Sequence, residues 1–319
     1  MHNNSLNIIS LFSGYDSPLV ALDNLGIPYH LLCWSEIDPY AILAHNLLHP
    51  TLKDLNIGDI QAALPPCSKI DLLFYSSPCQ DFSKAGLNKG GAKGSNTRSS
   101  LLWYVEKFIR TTSPRYLIME NVPTLATVHK YDLEDWLMTL QKLGYHSIKY
   151  IINALDCGIP QDRKRLFVIS SLENPPLIMH PTTRTRSPLS FLDINQPPKH
   201  LYIDIHKLLN EKLLISEYYP YILGYTRVYD DPRKSSYHKK KFFNTITTKN
   251  VAPPCNLLVE SCTNVRRLSS AERLRLMGLN QKQIDILHTS ISETQLNKLS
   301  GNSICIPVLE HIFRTLFLN

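Results

Sequence analysis

A short apolar run that ends near a cysteine constrains the fold of this chain more than any other stretch. Leu72–Tyr75 is continuously apolar and leads through two serines and Pro78 into Cys79. A run of this length is typical of a strand buried on both faces, as in a parallel sheet. Open α/β sheets bind ligands beyond the carboxyl ends of their strands. Most cysteines are simply small buried residues, but this position makes Cys79 a candidate nucleophile.

The beginning of the chain predicts another strand of the same kind. Residues 8–11, apolar except for Ser10, predict a strand, and a tight turn at Ser13-Gly14 precedes a predicted helix. We expect Ser17 to cap this helix, with Pro18 in its first turn and Gly26 just beyond its end. A strand, a glycine turn and a helix N-terminus suit a ligand with carboxylate or phosphate groups, although many α/β proteins begin in this way.

An acidic residue follows the next predicted strand. Residues 29–34 are largely apolar, and Glu36 comes shortly after them. Nucleoside-binding folds hold a ribose hydroxyl pair with an acidic residue about 20 residues beyond the glycine turn. A solvated loop carboxylate or a helix cap explains the spacing of Glu36 equally well. Asp38, before Pro39, is the better helix cap, and Asp59 is placed to accept from an adenine amino group.

A basic, glycine-rich segment follows Cys79. Residues 83–98 contain no acidic side chain, and a helix is predicted after them at residues 100–110. Long loops in compact domains are commonly lids or linkers. Beside a candidate nucleophile, we interpret this loop as a mobile lid that closes over a phosphate backbone. Without that neighbour, a simple surface connection would be the better interpretation.

Other titratable residues adjoin later apolar runs. Glu120 directly follows the predicted strand at residues 116–119, so Glu120 and Cys79 are expected to face one crevice. Arg163 and Arg165 enter another buried run and, in an extended segment, lie on the same side. Guanidinium groups at such a place need anionic partners. Structural salt bridges and a site with carboxylate or phosphate ligands both remain open.

The composition excludes several classes of protein. The 319 residues suffice for one large domain or two. No apolar run is long enough to cross a bilayer, and no signal peptide pattern begins the chain. The seven cysteines include no Cys-x-x-Cys pair, which argues against a metal site or a disulfide framework and for a reducing compartment. The net charge of +7 permits a polyanionic partner without demanding one.

In several motifs the chain resembles the C5-cytosine DNA methyltransferases of the bacterial and phage restriction-modification type. The matching stretches are the nucleophile tripeptide Pro78-Cys79-Gln80, the Glu-Asn-Val tripeptide that begins at Glu120, the Gln-x-Arg-x-Arg motif at residues 161–165, the hinge helix at residues 267–278 and the closing Gly301-Asn302-Ser303. These stretches follow the order of the family and extend over nearly the whole chain.

The resemblance implies a DNA (cytosine-5) methyltransferase that uses S-adenosylmethionine. Cytosine C5 is a poor nucleophile, so the Cys79 thiolate first adds to C6 and gives C5 the enamine character that attacks the methyl group. Glu120 hydrogen-bonds N3 and the exocyclic amine. Arg165 holds O2, and Arg163 orders the site or binds a phosphate. Because the base is inaccessible in a stacked duplex, it must be flipped into the pocket.

The resemblance also implies a cofactor pocket. Its residues are Phe12, Ser13, Gly14, Tyr15, Asp16, Glu36, Ile37, Asp59, Ile60, Pro78, Leu101, Asn302 and Ser303. The second glycine of the family's Phe-x-Gly-x-Gly-Gly turn is replaced here by Asp16. This loss restricts the backbone, although Asp tolerates the left-handed conformation better than most residues. A carboxylate there is expected either to attract the amino group of the cofactor or to repel its carboxylate.

The implied fold is a doubly wound, Rossmann-like α/β domain with a mixed, mostly parallel sheet and a smaller target-recognition domain. Residues 1–180 and 290–319 are expected to form the catalytic and cofactor-binding domain, and residues 181–289 the recognition domain and hinge. Expected DNA-binding residues are Gln80, Ser83, Lys89, Lys93, Arg98, Arg227, Lys239, Lys240, Lys241, Thr247 and Thr248. Charge runs are usually solvated faces, and phosphate contact is only slightly favoured for residues 239–241.

Other functions remain open. The tRNA cytosine-5 methyltransferases share this catalytic core, although their Cys-Phe-Thr tripeptide is absent here and a long recognition segment favours DNA. A catalytically degenerate DNA-binding relative is consistent with the altered glycine turn. A thiol-dependent redox or hydrolytic enzyme would lack a resolving cysteine and a histidine near Cys79. We expect a cytoplasmic, nucleoid-associated monomer that acts on double-stranded DNA, with a separately acting restriction endonuclease as a candidate partner.

Overall fold

A computed structural model describes residues 5–78, 90–91, 93–95, 97–193, 199–203, 220–227, 235–248 and 254–318. The chain divides into two compact units. Unit 1 comprises Met1–Asn153, Lys164–Pro181 and Val308–Asn319, and unit 2 comprises Ala154–Arg163 and Thr182–Pro307. Within the ranges that are described, no helix has the length and hydropathy needed to cross a membrane.

The described strands and helices alternate through the first part of the chain. The strands are β1 (Leu6–Leu11), β2 (Tyr29–Ser35), β3 (Leu72–Tyr75), β4 (Tyr116–Asn121), β5 (His146–Asn153), β6 (Gln161–Asp162), β7 (Lys164–Ser171), β8 (Tyr221–Thr226), β9 (Ser236–Lys240), β10 (Phe243–Asn244), β11 (Asn256–Val259) and β12 (Val265–Arg266). The helices are α1 (Ser17–Leu25), α2 (Pro39–Leu48), α3 (Val105–Thr112), α4 (Lys130–Lys142), α5 (Ser270–Arg275), α6 (Gln281–His288), α7 (Glu293–Asn302) and α8 (Ile306–Phe317).

Unit 1 is built on a sheet with the strand order β2-β1-β3-β4-β7-β5. β1 pairs in parallel with β2 and β3, and β3 pairs in parallel with β4. β7 is antiparallel to both β4 and β5. Every residue of β3 and β4 is buried, which is why their sequences are nearly continuous apolar runs. The predicted mixed, mostly parallel α/β sheet is confirmed.

Helices cover both faces of this sheet. Leu73 and Tyr75 share one face and pack in a core that includes Phe108 of α3 and Trp136 of α4. Trp136 Nε1 donates to the Tyr75 hydroxyl at 3.1 Å. Residues of a strand alternate between faces, and the opposite face carries α8, where Phe317 contacts the ring of Tyr116. The predicted doubly wound arrangement is therefore present.

The first two helices begin at turns that the sequence partly specifies. Asp38 caps α2 by accepting from the amides of Tyr40 and Ala41, as predicted. The prediction of Ser17 as the cap of α1 is wrong by one residue, because Asp16 is the flanking residue and is left-handed, with φ 63° and ψ 61°. Ser17 is the first residue of the helix, and Gly26 is its C-cap, as expected.

The helix predicted at residues 100–110 is present, but it changes type along its length and begins two residues earlier. A 3-10 helix at Arg98–Tyr104 comes first, and α3 begins only at Val105. Serine hydroxyls that bond to carbonyl oxygens compete with a regular α-helix. Ser99 donates to Pro78 O at 2.9 Å and Ser100 donates to Thr97 O at 2.7 Å, which explains the tighter first turns.

Unit 2 contains an antiparallel sheet with the described strand order β12-β11-β8-β9. Its small core includes Leu223, Leu257 and Val265. β6 and β10 form a separate parallel pair, and α5, α6 and α7 pack together. The predicted capping box of α5 is present, since Ser269 and Glu272 each bond to the other's backbone amide.

The compact units and the predicted functional domains have different boundaries. Residues 154–163 and 290–307, which were assigned to the catalytic domain, belong to unit 2. The last helix reaches unit 1 from Val308 onward. A division of labour between a catalytic and a recognition domain stays a prediction, whereas the division into two compact units is a feature of the structure.

Candidate active site

The carboxylate of Glu120 is the centre of a polar cluster in unit 1. The parallel register pairs Tyr75 with Met119, so the residues that follow them, Ser76 and Glu120, are also neighbours. The Ser76 hydroxyl donates to Glu120 Oε2 at 2.6 Å, and Arg165 Nε lies 3.2 Å from Glu120 Oε1. Glu120 is only 6% exposed. One carboxylate is thereby oriented by a hydroxyl and a guanidinium at the carboxyl ends of the strands.

Two hydrogen bonds fix the peptide that leads to Cys79. Asn121 Nδ2 donates to Ser77 O at 3.2 Å, and Ser99 Oγ donates to Pro78 O at 2.9 Å. The predicted nucleophile itself lies outside the described residues. The backbone immediately before it is nevertheless held beside the Glu120 cluster from two sides.

Arg163 has a different environment from Arg165. Its guanidinium is in unit 2 and donates to the carbonyl oxygens of Ile246 (2.9 Å), Gly301 (3.0 Å) and Ser303 (2.5 Å). Two of these carbonyls belong to the end of α7, where the helix dipole is negative. Arg163 is 2% exposed. This geometry supports the predicted ordering role and does not support phosphate binding, since the guanidinium is buried and both of its terminal nitrogens donate to carbonyl oxygens.

The predicted cofactor turn lies at the end of β1. The Gly14 amide donates to Glu36 Oε2 at 2.9 Å, and the Ser13 amide donates to Ser35 O at 3.1 Å. The other oxygen of Glu36 accepts from the amides of Ile37 and Asp38. The Glu36 carboxylate therefore joins the glycine turn to the end of β2, and a ribose contact would be additional to these bonds.

The groups around this turn suit a nucleoside-like ligand. Gly14 is left-handed, and a Cβ on it would meet no described atom within 4 Å. Ser13 Oγ is buried without a hydrogen-bond partner among the described residues. Ile37 is 65% exposed beside them. An open glycine, an unsatisfied hydroxyl and an exposed apolar side chain are what an adenosyl group with polar tails requires.

The other predicted cofactor residues of unit 1 are placed as follows. Phe12 has a positive φ of 56° and is half-buried, Tyr15 and Ile60 are buried, Pro78 and Leu101 are half-buried, and Asp59 is exposed and accepts from the Gln61 amide. Their roles toward a cofactor stay predictions.

The expectation that the Asp16 carboxylate faces the cofactor requires correction. Asp16 is completely buried. Its side chain extends into the interior of unit 1, where Oδ1 accepts from Ser10 Oγ at 3.0 Å and Oδ2 lies 3.6 Å from His45 Nε2. The backbone of Asp16 belongs to the turn, whereas its carboxylate lies in the interior of unit 1.

Asn302 and Ser303 lie at the end of α7 in unit 2, next to another predicted functional segment. Arg273, from α5, donates to Ser300 Oγ at 3.1 Å and to Asn297 O at 3.0 Å, and also to Thr247 O. Burial lowers the pKa of Arg273 well below the ordinary value of arginine, to about 10. Buried Arg163 and Arg273 thus hold the segment around Thr247 against the end of α7.

The predicted DNA-binding residues are distributed over both units. Gln80, Ser83 and Lys89 lie outside the described residues. Lys93, in unit 1, donates to Glu106 at 3.0 Å, and Arg98 starts the 3-10 helix. In unit 2, Arg227, Lys239, Lys240, Lys241 and Thr247 are exposed and Thr248 is half-buried. Lys239 lies 4.6 Å above the ring of Tyr221.

Several residues that shape these sites were not identified from the sequence. They are Ser76, Ser99, Asn121, His45 and Arg273. The role of Ser76 could have been predicted, because two parallel strands whose ends are in register place the residues that follow them side by side. Ser99, His45 and Arg273 act across loops or between helices, and their spacing in the sequence carries no such signal.

Comparisons with known proteins agree with one another. A model of the family described as C-5 cytosine-specific DNA methylase matches residues 6–318. The type II methyltransferase M2.ScrFI of Lactococcus lactis subsp. cremoris is 31% identical, over 98% of this chain and 99% of that protein. The orphan methyltransferase M.SssI of Spiroplasma monobiae is 30% identical, over 85% of this chain and 72% of that protein.

Solved structures show the same fold. A methyltransferase of Entamoeba histolytica, EhMeth, has a TM-score of 0.73 at 17% identity, and the Dnmt2 methyltransferase of S. pombe has a TM-score of 0.69 at 18% identity. Each comparison covers 98% of both chains. At these identities the likeness concerns the fold alone. The family model, in contrast, matches nearly every residue from β1 to α8, and this protein belongs to the C-5 cytosine-specific DNA methylase family.

Proposed function

We propose that the protein methylates C5 of a cytosine within a short site of double-stranded DNA, with Cys79 as nucleophile and S-adenosylmethionine as methyl donor. Membership of the family supplies the reaction class. The observation that most directly supports these residue roles is the Glu120 carboxylate, which Ser76 and Arg165 hold near the described backbone that precedes Cys79 in the sequence.

The roles of the side chains follow from the charge that develops on the base. When the Cys79 thiolate forms a bond to C6, the electron pair of the C5–C6 double bond moves toward C5 and the ring carbonyl, and N3 becomes more basic. A carboxyl group in hydrogen-bond reach of N3 stabilises this adduct. A guanidinium beside it stabilises negative charge at O2. Once C5 carries the transferred methyl group, loss of its proton to a base expels the thiolate from C6 and restores the C5–C6 double bond.

The turn at the end of β1 is the proposed cofactor site. Ser13, Gly14, Glu36 and Ile37 would hold the adenosyl and amino acid parts, because they present an unsatisfied hydroxyl, an open backbone and an exposed apolar surface. S-adenosylmethionine, when bound, supplies an electrophilic methyl group on a sulfonium. Asn302 and Ser303 stay predicted cofactor residues.

The antiparallel sheet of unit 2 is the proposed DNA-reading surface. Its edge strand β9 exposes Lys239 and Lys240, and Tyr225 and Tyr237 lie with ring centroids 5.0 Å apart. Lysines near aromatic rings suit a phosphate backbone and base edges. Lysines on an edge strand also prevent sheets from associating, so these residues are weaker support than the Glu120 cluster.

Labelled methyl transfer tests the proposal. The protein is incubated with labelled S-adenosylmethionine and unmethylated genomic DNA, with tRNA in parallel, and the DNA is sequenced at base resolution. We expect 5-methylcytosine in one short motif, and no transfer by Cys79→Ser, which should still bind DNA. Turnover by Cys79→Ser would remove Cys79 from its role, and label confined to tRNA would establish the alternative substrate.

Finer aspects of the proposal concern the setting of the enzyme. A DNA substrate is consistent with a nucleoid-associated monomer. Relatives include both type II and orphan methyltransferases, so family membership alone does not predict a cognate restriction endonuclease. A test for that endonuclease requires that the methylated sequence motif be known first. Cleavage of unmethylated but not methylated DNA in an extract of the source cells would demonstrate that partner.

A further inference from the structure

The turn of the proposed cofactor site contains an unusual left-handed residue. Asp16 has φ 63° and ψ 61°, directly before α1. Glycine adopts this conformation without a steric penalty, whereas a residue with a Cβ is strained in it, Asp less so than most. The Asp16 side chain makes no hydrogen bond to the amides of α1, so helix capping does not account for its conformation.

The interior of unit 1 provides the partners of the Asp16 carboxylate. Oδ1 accepts from Ser10 Oγ at 3.0 Å, and Ser10 is itself buried within β1. Oδ2 lies 3.6 Å from His45 Nε2, and both side chains are fully buried. The His45 ring stacks on Trp34 with centroids 3.7 Å apart and planes 15° apart. His45 is thereby fixed on α2 with one edge toward the carboxylate.

His45 is the group that is placed to compensate the buried carboxylate. Oδ2 of Asp16 and both ring nitrogens of His45 have no hydrogen-bond partner among the described residues. Burying an unpaired carboxylate is very unfavourable, and the Ser10 hydroxyl satisfies only one of its oxygens. The 3.6 Å approach of His45 Nε2 to Oδ2 places a group that can carry positive charge beside this oxygen and ties the turn to α2.

We propose that the Asp16–His45 pair is a positioning device that holds the cofactor turn in the left-handed conformation supplied by glycine in the family's Phe-x-Gly-x-Gly-Gly pattern. This inference rests on the proposed function of the turn. The pair does not touch the cofactor. It fixes the backbone that joins Gly14 to α1, and thereby the direction of the Gly14 and Tyr15 amides.

Cofactor binding and amide exchange test this role in the full chain. Asp16→Asn keeps the size and the left-handed tolerance of residue 16 but removes the charge, and His45→Phe keeps the ring on Trp34. If the turn then adopts the binding conformation only a tenth of the time, the Kd for S-adenosylmethionine rises about tenfold. We expect this rise by calorimetry in each variant and no further rise in the double variant. Hydrogen exchange at the Gly14 and Tyr15 amides should accelerate in parallel.

A matched control separates positioning from packing. His49 is also buried at the C-terminal end of α2, 5.2 Å from His45 between ring centroids, and its Nδ1 lies 3.9 Å from Asp23 Oδ2 of α1. His49→Phe should leave the cofactor Kd and the exchange of Gly14 unchanged. If His45→Phe is unstable, Asp16→Gly/His45→Phe serves instead, since glycine reaches the left-handed conformation without the pair and should restore binding to within about threefold of the wild type.

The outcomes distinguish this inference from the proposed function. Wild-type protein that fails to bind S-adenosylmethionine would overturn the proposed cofactor site itself. Wild-type binding that is matched by Asp16→Asn and His45→Phe, with unchanged exchange at Gly14, would overturn the positioning role alone.

Discussion

Gly301 and Thr248 are in direct backbone contact. A Cβ atom on Gly301 would lie 2.6 Å from Thr248 Cα, closer than real Cβ atoms approach. Gly301 is in the last turn of α7, and Arg163 and Arg273 hold the neighbouring carbonyls on both sides of the contact. The segment proposed to touch DNA and the segment proposed to touch the cofactor therefore share one packing surface within unit 2.

Gly301→Ala should destabilise unit 2 although the residue is in a helix. Alanine normally stabilises a helix relative to glycine, but here its methyl group would displace backbone atoms, at a cost of about 1–3 kcal/mol. Thermal unfolding of Gly301→Ala measures the effect. Thr294→Ala, at an exposed position of the same helix, is the control and should be close to neutral. An equally stable Gly301→Ala protein would contradict the observed contact.

The two arginines of the Gln-x-Arg-x-Arg motif should have separable roles. Arg163→Lys keeps the charge but cannot reach all three carbonyls, so we expect about 2 kcal/mol or more of lost stability. Arg165→Lys should leave the melting temperature nearly unchanged and lower kcat about 100-fold, because the group beside Glu120 no longer stabilises charge on the base.

These variants are best measured side by side by calorimetry and single-turnover methyl transfer. A loss of stability in Arg165→Lys that equals the loss in Arg163→Lys would contradict the assignment. So would a full catalytic defect in Arg163→Lys without a loss of stability.

The sequence predicted the elements of unit 1 because local signals and the fold agree there. Apolar runs specified β3 and β4, and Asp38 before Pro39 specified the start of α2. The environments of Arg163 and Arg165 could not be predicted, since adjacent residues of one motif belong to different compact units. The burial of Asp16 could not be predicted either, because its partner His45 lies on α2 and belongs to no recognised motif.

The hydroxyl of Ser76 should contribute to catalysis through Glu120. Ser76→Ala removes a 2.6 Å hydrogen bond to the carboxylate and should lower kcat about tenfold, as expected for a hydrogen bond to a charged group. Glu120→Gln should lower it about 100-fold or more, because the amide cannot share a proton with the base.

The double variant makes this prediction sharper. If Ser76 acts only through Glu120, Ser76→Ala should cost nothing further in the Glu120→Gln background. DNA affinity, measured separately, should stay near the wild-type value in all three proteins. Additive losses of kcat would show that Ser76 acts independently of Glu120.

Burial of His49 should make the stability of the protein depend on pH. Burial lowers the pKa of His49 from 6.5 to about 4, with His45 contributing in the same direction and Asp16 opposing. Between these values the unfolded chain binds a proton that the native protein does not. The free energy of unfolding therefore falls as the pH is lowered from about 6.5 to about 4, by about 3 kcal/mol from this residue.

Denaturant unfolding of wild-type protein and His49→Phe at several pH values measures this contribution. At pH 8 the two proteins differ only by the packing change, since His49 is neutral in both states. On acidification the free energy of unfolding should fall more for the wild type than for His49→Phe. The variant therefore becomes more stable relative to the wild type as the pH is lowered. Parallel pH profiles for the two proteins would show that native His49 takes up its proton as readily as the unfolded chain does.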